Sequence, residues 1–173
     1  MKKVLLSLLM VAGFGFMASA QTEGAVNKIS VDPDFLLPIG DNSSAVSLGF
    51  GGSVMGEFNV AKSLNLTASA GYISIAPIKE LKDFGFKNSG VVPVKAGAKY
   101  YFGGNFYGAG EVGAVFSTEN GGGTSLTYAP TLGASFSVSD KSSIDLGIRY
   151  EAWSRESVTS SFVGIRAAWA FGL

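Results

Sequence analysis

The chain has 173 residues, enough for one domain with a sizeable core, and its 13 basic and 13 acidic side chains leave no global field to attract nucleic acid. Charged residues make up 15%, well below the roughly 25% of soluble domains, while glycine is abundant at 24 and proline scarce at 5. Cysteine and histidine are both absent, which excludes disulfides, thiol catalysis, cysteine metal sites, a lipoprotein anchor and any histidine base.

The first twenty residues form an export signal: Lys2 and Lys3 open it, an apolar run follows from Val4 to Met17, and Ala18-Ser19-Ala20 is a small-residue cleavage triplet. Cleavage after Ala20 is expected to leave residues 21–173 as a single barrel domain with 11 basic and 13 acidic side chains, a net charge of −2. No later stretch approaches the roughly 18 apolar residues of a membrane helix.

From about residue 28 the chain alternates apolar and polar residues, the period of half-buried strands. The first segment, with Ile29, Val31, Phe35, Leu37 and Ile39 on one face, is the weakest because Pro33 and Pro38 interrupt it. The second places Val46, Leu48, Phe50, Val54, Phe58 and Val60 opposite Ser47, Gly49, Gly51, Ser53, Glu57 and Asn59. Six more follow, around Leu64–Tyr72, Val92–Phe102, Phe106–Phe116, Leu126–Val138, Ile144–Glu151 and Val163–Leu173, making eight in all. Tight connections near Lys62-Ser63, Gly103-Gly104-Asn105 and Asp140-Lys141 alternate with longer ones over 40–44, 77–90, 117–124 and 154–160. Short turns on one side, long loops on the other and an even strand count predict an up-and-down antiparallel transmembrane barrel with both chain ends on the periplasmic side.

Three features place the apolar face outside. The opposite face is mostly Gly, Ser, Thr and Ala, which suits the crowded interior of an eight-stranded barrel. The charges Asp32, Asp34, Glu57, Lys95, Lys99, Glu111, Asp145, Arg149, Glu151 and Arg166 all fall on that small-residue face. Aromatic residues gather at both strand ends, with Phe58, Phe102, Phe106, Phe136 and Phe171 towards the short turns and Tyr72, Phe116, Tyr128 and Tyr150 towards the long loops, as in interfacial girdles.

Laid out this way, the chain resembles the outer-membrane β-barrel domain family common in Bacteroidetes-type bacteria and is similar to the eight-stranded barrels of the outer membrane protein A and X type. The resemblance rests on 64–72 (LNLTASAGY), 92–116 (VPVKAGAKYYFGGNFYGAGEVGAVF), Ile148-Arg149-Tyr150-Glu151 and the final strand from Phe162 to Leu173. It implies a bacterial outer-membrane location, contact with outer-membrane lipid and lipopolysaccharide, and delivery by the barrel assembly machinery. Trp169, Phe171 and Leu173 match the alternating positions of that machinery's C-terminal signal, although Leu173 stands where Phe or Trp is usual.

Glu57, Lys95, Lys99, Glu111, Asp145, Arg149, Glu151 and Arg166 are expected to pair inside the barrel, since unpaired buried charge is severely destabilising. The alternative is that they line a narrow passive, porin-like channel. In the longest loop, Phe84 and Phe86 stand among Lys79, Lys82 and Lys87 as the candidate contact for lipopolysaccharide or a partner. Gly108–Gly113 spells GxGxxG but lacks the strand-to-helix turn that a dinucleotide site needs. No catalytic residue, cofactor or metal is indicated, a lipid-modifying enzyme is the remotest alternative, and the barrel is expected to be a monomer with a structural or surface-interaction role.

Overall fold

The structure, a computed structural model, describes residues 26–119 and 121–173. The expected export signal lies outside the described residues. Eight strands follow in chain order: β1 (Lys28–Ile39), β2 (Val46–Ala61), β3 (Leu64–Pro77), β4 (Ser89–Gly103), β5 (Phe106–Ser117), β6 (Thr124–Ser139), β7 (Ser142–Arg155) and β8 (Val158–Gly172). Each pairs antiparallel with the next, and β1 closes on β8 from Lys28↔Gly172 to Ile39↔Ser161. Closure leaves no sheet edge, the condition for a sheet to span hydrocarbon.

The period-two pattern becomes an inside and an outside. Along β1, Lys28, Ser30, Asp32, Asp34 and Leu36 are buried while Ile29, Val31, Phe35 and Leu37 are exposed. On β8 the buried positions are Phe162, Gly164, Arg166, Ala168 and Ala170, and Ile165, Trp169 and Phe171 face out. Charge inside and large apolar side chains outside invert a soluble core, so the wall is built for lipid. The strands run to 16 residues, longer than the roughly 9–11 that cross a bilayer.

Local chemistry shapes the ladder and its turns at several places. Both prolines lie within β1, and Pro33 sits where the β1–β8 ladder skips from Val31↔Trp169 to Asp34↔Arg166, so its missing N–H interrupts the pairing without ending the strand. The β2–β3 ladder slips between Val46 and Leu48, and Val46 turns in to pack against buried apolar residues rather than staying on the Leu48 face. The connection expected over 154–160 is a two-residue turn at Glu156 and Ser157, both with positive φ (48° and 75°), because β7 and β8 stay paired out to Arg155↔Val158.

Gly113 answers the GxGxxG question. It lies within the continuous β5, and a Cβ there would come 2.0 Å from the Val94 carbonyl oxygen. Close strand approach, not phosphate binding, accounts for that glycine.

Candidate functional site in the lumen and at its loop-end mouth

The lumen is filled in layers. Nearest the short turns, Lys99 of β4 crosses to Glu57 of β2 at 2.8 Å and also contacts Asp145 of β7. Its ammonium lies 4.1 Å from the centre of the Tyr107 ring and 5.2 Å from that of Tyr101, so two carboxylates and two π faces surround one cation. Tyr107 fits because Gly133 and Gly147, paired across β6 and β7, leave room; a Cβ on Gly133 would meet the phenol carbon at 2.6 Å. Asn65 donates to Glu57 at 3.2 Å, and Lys28 donates to Ser143 at 3.2 Å.

Towards the loops, Glu151 of β7 gathers three groups. Lys95 Nζ lies at 3.1 Å, Arg149 Nε at 3.0 Å without hydrogen-bond alignment, and the Trp153 indole N–H donates at 2.9 Å. Arg149 reaches on to Asp34 of β1 at 2.6 Å, and Arg166 of β8 stands 3.0 Å from Asp32 of β1. The pairs of Lys99 with Glu57 and Asp145, of Lys95 with Glu151 and of Arg149 with Asp34 link strands that are not neighbours in the sheet, so they brace the barrel across its width, whereas Arg166 and Asp32 join the adjacent β8 and β1. Glu111 differs from the other seven expected charges. It is buried, accepts a hydrogen bond from Ser69 at 2.7 Å, and makes no ion pair among the described residues.

Above the charges the lumen turns apolar. Leu36, Ile73, Ile75, Val115, Trp153 and Phe162 form one buried cluster, with Val46 and Val91 packed against it. Trp153 and Phe162 pack with ring centres 4.6 Å apart and ring planes tilted by 47°. Gly49 lies under this layer, and a Cβ there would press on Ile75 and Leu36 at 3.0 and 3.1 Å. Through its N–H the Trp153 ring joins the apolar layer to the Glu151 cluster beneath. Sequence reasoning missed the layer, although the signal was present: Ile73 and Ile75 share the parity of the buried polar Asn65, Thr67 and Ser69 on β3, and Val115 and Trp153 share that of the charged residues on their own strands.

At the mouth, a 3-10 turn (Gly40–Ser44) joins β1 to β2, and a five-residue helix, α1 (Lys79–Asp83), caps the β3–β4 connection. Phe84 and Phe86 follow it, 84% and 60% exposed. The segment is tied down by Ile78 N–H donating to the Ala45 carbonyl at 3.1 Å and Phe86 N–H donating to Leu81 at 3.1 Å. At the other end of the wall, Trp169 and Phe171 face outward on β8, paired in register with Val31 and Ile29, and Leu173 N–H donates to the Asn27 carbonyl at 2.9 Å. Among the described residues there is no group of three or more acidic side chains placed to hold a metal ion.

The structure is similar to that of neisserial surface protein A, with a TM-score of 0.61 and 13% identity over 85% of this chain and 97% of that one. The fold is that of the small outer-membrane barrels. OprG of Pseudomonas aeruginosa (TM-score 0.55, 12% identity, 90% and 100% coverage) and Ail, the attachment invasion locus protein of Yersinia pestis (0.51, 15%, 84% and 97%), share it. No family model and no curated protein sequence matches the chain. At such identities the eight-stranded outer-membrane barrel is common ground, while loops and lumenal side chains are this chain's own.

Proposed function

We propose that the protein is an outer-membrane barrel with a closed lumen, which acts through its outer rim as a structural or surface-interacting component of the cell envelope. The observation that carries this is the double closure of the lumen. A braced layer of ion pairs lies beneath a continuous apolar layer, and an eight-stranded ring has room for little besides its own side chains. The rigid wall holds the barrel in lipid, and the loops are left to meet what lies outside.

Export through residues 1–20 and periplasmic chain ends complete this orientation. Trp169, Phe171 and Leu173 act as the handle for the barrel assembly machinery, and deleting 169–173 also removes the pairing of β8 with Lys28 to Val31. A truncated chain still found folded in the outer membrane would refute that role. Phe84 and Phe86, beside Lys79, Lys82 and Lys87, are the proposed contact with lipopolysaccharide. The barrel works as a monomer, without cofactor or catalysis.

The test is electrophoresis of the refolded barrel, boiled and unboiled, with planar-bilayer conductance on the same sample. A heat-dependent mobility shift with negligible conductance is expected. A shift with steady conductance would replace this reading with a narrow passive channel.

A further inference from the structure

Above the apolar layer the loops border a half-open recess of about 320 Å3, at the small end of the roughly 300–1,000 Å3 that ligand sites occupy. Its floor is the top of that layer: Ile75 belongs to both, and Val46 lines the recess while packing on the cluster. Pro77 and Phe86 extend the apolar surface up the wall, and Lys87 and Glu119 stand at the rim. Among the described residues neither Lys87 nor Glu119 makes an ion pair. The rim is held in place on both sides. Phe86 is fixed by its bond to Leu81, and Glu119 follows Thr118, whose N–H and hydroxyl each donate to the Gly90 carbonyl at 2.9 Å.

An apolar floor with one unpaired charge of each sign above it selects among ligand chemistries. A simple anion gains from Lys87 but meets Glu119, and a simple cation meets the reverse. A neutral apolar molecule has the bilayer beside it as a competing solvent. A molecule with both charges on an apolar body satisfies the floor and both rim groups at once. The geometry points to a binding site for a small zwitterion with an apolar body, the class of free aliphatic and aromatic amino acids, its carboxylate at Lys87 and its ammonium at Glu119. This rests on the reading that the outer rim is the working end of the barrel.

The test is a phenylalanine titration of the full barrel in lipid nanodiscs, followed by methyl NMR at Val46 and Ile75, with lipid-facing Ile148 as reference. Saturable shifts at Val46 and Ile75 without change at Ile148 are expected. N-acetylphenylalanine and phenylalanine methyl ester, each lacking one charge, should bind about threefold more weakly, the scale of one exposed ion pair. Lys87→Gln should remove the preference over the ester, and Glu119→Gln the preference over the acetylated form. Absence of saturable shifts, or unchanged preferences in both variants, overturns the site. Conductance on the same preparation separates the two conclusions. A silent barrel that binds nothing loses only the ligand, and a conducting barrel that binds loses only the closed lumen.

Discussion

The charged and apolar layers occupy the same lumen a few residues apart and are held together by opposite means. In the lower layer, Lys99, Glu57 and Asp145 are tolerable only together, because each needs its partner to offset desolvation. In the upper layer, Leu36, Ile73 and Phe162 need only shape, and the loss of one leaves a void rather than an orphaned charge. The lower layer is therefore specific and brittle, and the upper one tolerant. Trp153 belongs to both, packed against Phe162 and hydrogen-bonded to Glu151.

Substitutions sharpen that contrast. Glu151→Ala strands Lys95 and leaves Arg149 with Asp34 alone, so the folded barrel should lose about 4 kcal/mol, read from the urea midpoint in lipid vesicles. A loss below that of a single methylene deletion would mean that the lower layer is hydrated. Leu36→Ala should cost about 3 kcal/mol by opening a cavity, yet leave conductance at zero because the ion pairs still close the lumen below. Measurable current from this variant would make the apolar layer the sole seal. Trp153→Phe keeps an aromatic ring against Phe162 and loses the bond to Glu151, for about 2 kcal/mol; a null result would show that the two layers are independent. Phe84→Ser, on the rim and outside both layers, should change stability by no more than about 0.5 kcal/mol, while lowering retention on lipopolysaccharide-coated beads.

Much of the barrel was legible in the chain because lipid imposes a strict rule on every strand. One face must be apolar and every ladder closed, so the parity of Val163 to Leu173 already told outside from inside. Less visible was where a strand changes partners in its surroundings. Ile73 and Ile75 continue β3 past the tyrosine of the girdle, and nothing local says that they turn from filling a wall to plugging a lumen. Glu156 and Ser157 are not the glycine or asparagine of a common tight hairpin, which is why that turn read as a loop.

By itself the sequence determined the number of strands, their two faces and the confinement of charge to one of them, because these follow from period and from the cost of charge in hydrocarbon. Only the tertiary structure decided which charges meet, that Glu111 is left to Ser69, and that six apolar side chains from β1, β3, β5, β7 and β8 share one layer. Those partnerships join residues as far apart as Asp34 and Arg149, and ring closure is what sets the distance between them.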